Sequence, residues 1–417
     1  MIPLERFYCR ICCHFVPSCR CASTSSSSSK AFCLDAETCA LVVQSLSSSG
    51  YLLFSFSVES HALQIMQELH LHSSMFFSSP LELKMESCSK DKARRGYSPL
   101  ETENFAALVG IKDKPNDKVE KYRYGPVIDP SCLHSQQQYE GQHQYQQIDK
   151  DYFSSKAATV HFFPNSIENL DHKYQQALAQ YYKLMEKLSL CVLYILEIAF
   201  DLETGSMVTP SMPPYHTSIL SINHYPLDTE LQPAVERVAD HTDVSLFTIV
   251  TEMGTMCGAD DAANPAKNTQ LQMLDRNTND WIDINLGPEE FLVNIGDYLQ
   301  YISCGKLHSA RHRVISVESG KIPRESFAYF CTPRYDAMID WKQKDRKALV
   351  SSSDERPYGS ATSAESNDST TFSSSSSSSS DGSNGSRSNE RYAQGMSYHE
   401  FRKAKISKVI NSLKLRS

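Results

Sequence analysis

The chain has 417 residues, 40% of them hydrophobic and 22% charged, which is ample for a large core and ordinary for a soluble protein. A net charge of -8 and a pI near 6.0 argue against a nucleic-acid binder, which carries a basic face. The longest nearly apolar run, LSLCVLYILEIAF over 188–200, is too short to span a bilayer and contains Glu197, so it reads as a buried helix and no membrane partner is expected.

Residues 1–31 read as a disordered leader. There are 13 Cys in the chain, and Cys9, Cys12, Cys13, Cys19 and Cys21 cluster here beside His14, but the spacings match no common zinc module. Glu5, Arg6 and Arg10 interrupt any secretory apolar core, so a cytoplasmic protein with reduced thiols is expected, the alternative being an organellar one after removal of the leader.

From Phe32 the texture is ordered. LDAETCALVVQSLSSSGYLLFSF predicts a helix capped by Asp35, then Gly50, then a strand. SHALQIMQELHLHSSMFF predicts a helix with Leu63, Met66, Leu69 and Leu71 on its apolar stripe, and Gly96-Tyr97-Ser98-Pro99 predicts a turn. The Gln-, His- and Tyr-rich stretch 133–148 reads as a loop insertion. A long helix is predicted from an N-cap at Ser166 to Leu202, with Tyr174, Leu178, Tyr181, Leu184, Leu188, Val192 and Leu196 at steps of three and four.

After Tyr215 many short strands follow, the pattern of a sandwich or barrel, with 253–268 as a hairpin insertion. The Ser-rich tract 351–391 cannot bury a core. Beyond it a helix over 398–415 carries a modest stripe at Phe401, Ile406, Val409, Ile410 and Leu413, and is expected to pack back on the domain.

Two stretches in the strand-rich part carry chemistry. In VADHTDVSLFTIV, His241 and Asp243 are two apart. On a strand, residues i and i+2 share a face, so both could reach one metal. KLHSARHRVISV supplies His312 from a later strand. Two His and a carboxylate make a facial triad, which holds one side of a non-haem Fe(II) and leaves the other open. His308 has the same parity as His312 and competes for the third place. His312 is preferred because it opens an apolar strand, and His308 reads as a loop residue. Arg311 and Arg313 flank the ligand on the opposite face and read as structural pairs, while Leu299, Tyr301 and Phe330 read as core. Twelve residues after His312, Arg324 and Ser326 share a strand face and could fork onto a carboxylate.

Taken in order, these stretches resemble the plant and fungal 2-oxoglutarate/Fe(II) oxygenases that include isopenicillin N synthase and the flavonoid and gibberellin oxygenases. The resemblance rests on GYLLFSF, MFFSSPLELK, GYSPL, SINHYP, HTDVSLFTIV, DWIDINLGPEEFLVNIGDYLQYISCGKLHSARHRV, PRESFAYFCTP and MSYHEFRKAK. It covers roughly 32–335 and 397–415, and departs from the family at Ser245, in the long His312–Arg324 interval and at the three insertions.

The resemblance implies a double-stranded β-helix, or jelly roll, mainly β with an N-terminal helical region. The expected organisation is an N-terminal helical and substrate-side region over 32–205, a jelly-roll core over 206–335, a connecting segment over 336–350, the Ser-rich insertion, and a closing helix within 392–417. It implies that His241, Asp243 and His312 hold Fe(II), that Arg324, Ser326 and Tyr225 hold the distal carboxylate of 2-oxoglutarate, and that Asn223 lines the site. The implied reaction is hydroxylation or desaturation of a small organic molecule with O2, releasing succinate and CO2, with ascorbate a candidate stimulant. No side chain is needed as a general base. The substrate pocket is expected around Tyr97, the loops after Tyr124 and the C-terminal helix. A monomer with no nucleic-acid partner is expected. Two alternatives stand beside this reading: an isopenicillin N synthase-type oxidase that dispenses with 2-oxoglutarate, and a non-catalytic jelly-roll interaction protein.

Overall fold

The computed structural model describes residues 7–9, 36–56, 60–88, 95–108, 114–126, 152, 169–228, 234–252, 267–287, 290–317, 322–342 and 395–414. The Cys-rich cluster beyond Cys9, the Asp35 cap, the 133–148 insertion, Ser166, most of the 253–268 insertion and the Ser-rich tract lie outside the described residues.

Among the described residues, twelve strands form two sheets. In chain order they are β1 (Phe7–Cys9), β2 (Tyr51–Phe56), β3 (Gly96–Ser98), β4 (Glu120–Tyr124), β5 (Ile219–Tyr225), β6 (Glu236–His241), β7 (Phe247–Thr251), β8 (Thr269–Leu274), β9 (Trp281–Ile284), β10 (Glu290–Ile295), β11 (His312–Ser316) and β12 (Arg324–Cys331). The larger sheet runs β1-β2-β10-β7-β12-β5-β4-β3 and the smaller β6-β11-β8-β9. All pairings are antiparallel except β1 on β2, a three-residue strand inside the stretch read as leader.

Alternation along the strands builds two apolar layers. Tyr51, Leu53, Tyr225 and Leu292 of the larger sheet meet Val238, Leu271, Met273 and Val314 of the smaller one. On its other face, Leu52, Phe54, Leu220, Ile222, Phe327 and Tyr329 pack with helices α1 (Ala36–Ser48), α2 (Ser60–Phe77) and α5 (His172–Ala199). This is the expected jelly roll with N-terminal helices laid against it. Shorter helices are α3 (Leu81–Glu86), α4 (Phe105–Leu108) and α6 (Asp297–Ile302), and α7 (Tyr398–Lys414) closes the chain.

Helix α5 starts later than its apolar spacing implied. Its N-cap is Asp171, whose carboxylate accepts from the Lys173 and Tyr174 amides at 3.0 and 3.1 Å. Its Tyr174, Leu178, Tyr181, Met185, Val192 and Leu196 are buried. Glu197, which interrupts the apolar run, is buried too, and accepts the backbone N–H groups of Gly205, Met207 and Val208 at 2.8–2.9 Å. Its charge thus closes the following turn at no cost of an unpaired buried group. None of the described helices is long and apolar enough to cross a membrane.

Three local expectations are corrected. Gly96–Ser98 is an edge strand paired with β4 rather than a turn. In α2 the buried stripe runs through Met66, Leu69, Ser73 and Phe77, which leaves Leu71 55% exposed. Phe330 is half-buried and borders the cleft described below, because its strand alternation turns it to the same face as Ser326 and Ala328.

Helix α7 sits on the domain through Tyr398 and Phe401, both buried. The Phe401 ring lies 5.2 Å from that of Tyr298 and 5.1 Å from that of Tyr301.

Candidate metal centre and co-substrate pocket

Between the two sheets, at one end, lies a cleft. His241, Asp243, His312, Asn223, Tyr225, Arg324 and Ser326 all line it.

His241 ends β6 and His312 opens β11, where the two residues face each other in antiparallel register. Their rings lie 4.3 Å apart. Asp243 is not on the strand. It follows the end of β6, in the crossover that carries the chain from the smaller sheet to β7 of the larger. Strand parity is therefore an incomplete reason for their convergence: the carboxylate reaches back from a turn. That crossover is pinned to the start of α6, where the amides of Gly296, Asp297 and Tyr298 donate to the carbonyls of Leu246, Asp243 and Ser245. A side chain at 296 would collide with it, since a Cβ there would lie 2.2 Å from the Ser245 carbonyl oxygen.

Each imidazole is oriented by the backbone. The Nδ1–H of His241 donates to the Ala239 carbonyl at 2.7 Å, and that of His312 to the Ala310 carbonyl at 3.0 Å. A carbonyl can only accept, so the proton sits on Nδ1 and the Nε2 lone pair is free in the neutral ring. Both Nε2 atoms converge on Asp243 Oδ1, at 3.8 and 3.9 Å. The other carboxylate oxygen is held, Oδ2 accepting from Thr248 Oγ1 at 2.6 Å and Asn294 Nδ2 at 3.0 Å. One ligand atom from each of the three lies within 4.8 Å of the other two, and this is the one such group found among the described residues.

Burial, aided by the neighbouring His312, pushes the His241 pKa down to about 3. The ring is thus an uncharged donor at neutral pH. Burial alone would raise the pKa of Asp243. The adjacent imidazoles and the bonds from Thr248 and Asn294 outweigh it and hold the carboxyl below its ordinary range. Two imidazoles and one carboxylate whose unbonded nitrogen and oxygen atoms are aimed at one point are the donor set of a facial-triad Fe(II) site. His308 lies after α6 and outside this group.

Strand β12 lies beside β5 with Arg324 opposite Tyr225 and Ser326 opposite Asn223. The amide of Asn223 is 3.4 Å from Ser326 Oγ, and the phenol of Tyr225 borders both Ser326 and Arg324. Arg324 is 2% exposed, and its Nη1 has no hydrogen-bond partner among the described residues. A buried guanidinium nitrogen left unpaired in a cleft fits an incoming carboxylate. The residues present therefore suit both Fe(II) and a 2-oxo dicarboxylate.

Several contributors to the site escaped the sequence reading. Thr248 and Asn294 were legible in principle, as polar residues at inward positions of apolar strands. Phe105 of α4 lies against His241, ring centroids 4.5 Å apart, and Lys121 of β4 lies over the Phe105 ring at 4.3 Å. Lys121 is buried at the cleft wall, 2.8 Å from Glu103. Tyr97, expected in the pocket, is on the helix-covered face of the sheet, its hydroxyl bonded to Glu120. Arg311 pairs with Asp240, and Arg313 with Glu236 while stacking on Trp281, so neither enters the cleft.

Residues 216–333 match the family model described as the 2OG-Fe(II) oxygenase superfamily. Among curated proteins, clavatol oxidase of Penicillium crustosum is 24% identical over 322 residues, which span 75% of this chain and 84% of the relative. Gibberellin 2-beta-dioxygenase 1 of Pisum sativum is 30% identical over 118 residues, 28% of this chain and 31% of that one. Among solved structures, a full-length Neurospora crassa protein in complex with alpha-KG superposes with a TM-score of 0.56 at 17% identity, covering 90% of both chains. A 2OG-Fe(II) oxygenase family protein of Caulobacter crescentus gives 0.57 at 19% identity, covering 89% of this chain and 96% of its own. These two likenesses speak to the fold alone. Matched over 216–333 and carrying a converging His-Asp-His group at the end of a jelly roll, the strand-rich part of the chain is a 2OG-Fe(II) oxygenase domain.

Proposed function

We propose that His241, Asp243 and His312 bind Fe(II), that Arg324, Ser326 and Tyr225 bind the far carboxylate of 2-oxoglutarate, and that the enzyme oxidises a small organic molecule. The observation that carries this reading is the pair of imidazoles whose Nδ1–H groups are tied to backbone carbonyls, leaving both Nε2 lone pairs aimed at Asp243 Oδ1.

When bound, Fe(II) together with 2-oxoglutarate and O2 supplies the oxidising power for C–H cleavage, with succinate and CO2 as co-products. The protein's own residues orient and enclose. Ala239 and Ala310 fix the imidazoles through their carbonyls. Thr248 and Asn294 hold one oxygen of Asp243 and leave the other free. Arg324 and Ser326 offer donors to a carboxylate. Phe105, Val238, Leu271 and Val314 give the cleft a water-poor apolar wall. Lys121 adds one buried cation to that wall, which suits a largely apolar substrate bearing a polar or anionic group. No side chain here is required as an acid or base.

The 2-oxoglutarate-independent oxidase is kept as a second reading because of one observation: Arg324 already has a protein carboxylate, Glu252, as an ion-pair partner. Anaerobic titration of the full chain with Fe(II) and 2-oxoglutarate separates the two readings. A visible charge-transfer band that needs both components, and weakens in Arg324→Ala, is expected. Iron binding with no band at any 2-oxoglutarate concentration would transfer the case to the oxidase.

A further inference from the structure

Glu252 follows β7 and is 3% exposed. Its Oε1 accepts from Arg324 Nε at 2.9 Å and from Nη2 as well, so one oxygen takes the whole of one guanidinium edge. Its Oε2 accepts from Lys267 Nζ at 2.8 Å. The Tyr225 ring lies beneath the guanidinium, with Cζ 5.2 Å from its centroid. Arg324 is thus gripped along one edge and on one face, and Nη1 alone is left over.

Glu252 and Lys267 are also the two feet of the 253–266 insertion. The second foot is latched to the approach of β12: Lys267 forms an isolated bridge with Ile322, and the Asn268 amide donates to the Ile322 carbonyl at 2.9 Å. The Asn268 side chain donates to the carbonyls of Tyr225 and Pro226 at 3.0 and 2.8 Å. The base of the insertion therefore holds both strands that carry the carboxylate-binding group. In formal charge, Arg324, Glu252 and Lys267 sum to one positive unit, which an incoming carboxylate balances. Glu252 steers the arginine without cancelling the site.

Building on the reading that Arg324 receives 2-oxoglutarate, we propose that Glu252, braced by Lys267, is a positioning residue that fixes how far the arginine reaches and so selects the length of the 2-oxo dicarboxylate. A guanidinium on a three-carbon stem has several rotamers, and a buried ion pair restricts them. With the iron ligands at one end and Nη1 held at the other, the span between them is set. A co-substrate longer by one methylene is then expected to bind less well. An arginine freed from Glu252 can withdraw and admit it.

The test is anaerobic titration of the Fe(II)-loaded full chain with 2-oxoglutarate and, separately, 2-oxoadipate, read by the charge-transfer band and by calorimetry. The wild type is expected to prefer 2-oxoglutarate. Glu252→Ala is expected to weaken 2-oxoglutarate binding roughly tenfold, as for loss of a charged hydrogen-bond partner, and to erode the preference over 2-oxoadipate. Glu252→Gln keeps an acceptor oxygen and should retain most of that preference. Glu252→Asp keeps charge and fold while withdrawing the anchor by one methylene, and should shift it. Arg324→Ala separates the two layers of the argument. If that variant binds 2-oxoglutarate like the wild type, the underlying reading fails. If it loses binding while the Glu252→Ala and Glu252→Asp proteins keep wild-type affinity and preference, the positioning role of Glu252 is overturned. The aspartate result decides the matter even where the alanine variant does not fold.

Discussion

Thr248→Val is the substitution that isolates how the metal carboxylate is held. Thr248 is 1% exposed, and its Oγ1 donates to Asp243 Oδ2 at 2.6 Å. Valine has nearly the same shape, so the change removes a hydroxyl and little else. Asp243 Oδ2 is then left with Asn294 Nδ2 at 3.0 Å as its remaining donor. A hydrogen bond to a charged group is worth about 1.5–3 kcal/mol. Two effects oppose each other once it is gone. The carboxylate becomes more basic, which favours metal, and it loses its fixed orientation, which disfavours metal. Outer-shell substitutions at metal sites come out on the side of lost orientation, by about 10–100-fold in affinity, and that range is expected here. Because Thr248 and Asn294 donate to the same oxygen, Thr248→Val with Asn294→Ala should lose more than the sum of the single changes. The assay is an anaerobic Fe(II) competition titration against a colorimetric chelator. Wild-type iron affinity in both single variants would refute the claim that Oδ2 must be held for Oδ1 to serve.

Phe401→Ala removes a fully buried ring from between Tyr298 and Tyr301, and should cost about 3–5 kcal/mol in urea unfolding while leaving iron affinity intact. Glu325 is buried between α2 and β5. Burial alone would raise its pKa, but the contacts of His224, His70 and Ser73 outweigh this and bring it to about 2. A depressed carboxyl pKa stabilises the fold above the ordinary value of 4.5, and that stabilisation is lost as pH falls towards 2. It amounts to about 3 kcal/mol from the size of the shift. Glu325→Gln should therefore flatten the pH dependence of unfolding between pH 4.5 and 2, and an unchanged slope would count against the network. Fe(II) at a hundred times its dissociation constant should stabilise the fold by about 2.7 kcal/mol, and a chelator should reverse it. Asp243→Asn, with one ligand charge removed, should show little of this thermal shift.

That His241, Asp243 and His312 converge, and that Arg324 and Ser326 share a strand face, was legible in the sequence because the information is local: two residues apart, or one strand apart, beside apolar runs whose period is plain. The same locality explains the misreadings. Pro164-Asn165-Ser166 has the form of a helix start, yet the amides of α5 are capped by Asp171, closer to the apolar stripe. Gly96–Ser98 is too short for any period to appear, so its pairing with β4 leaves no trace in its own residues. Leu71 and Met75, four apart on α2, are both exposed, because the helix is turned towards the sheet by Met66, Leu69 and Phe77. Glu252 was beyond reach for another reason. Its partner Arg324 lies 72 residues away, and no spacing rule links the end of one strand to the start of another.

The position of the site follows from how the sheets are joined. His241 and His312 terminate paired strands of the smaller sheet, and Asp243 sits where the chain leaves it for the larger one. At such a seam strand pairing stops, so side chains are free to converge, while the strands on either side remain rigid. The seam is then tied down twice. Backbone bonds fasten the crossover to α6, and Lys405 of α7 pairs with Asp297 at the start of that helix, with Thr242 Oγ1 also in reach at 3.4 Å. The last helix of the chain, arriving after the Ser-rich tract, therefore closes against the loop that presents the metal carboxylate. Helix α4, which carries Phe105, also touches both α7 and β6. His241, Asp243 and His312 are held by the jelly roll, whereas α4 and α7, beside its open face, lie outside its strands. Those elements can change without moving His241, Asp243 or His312, and that is why the candidate metal centre is legible in motifs and the substrate is not.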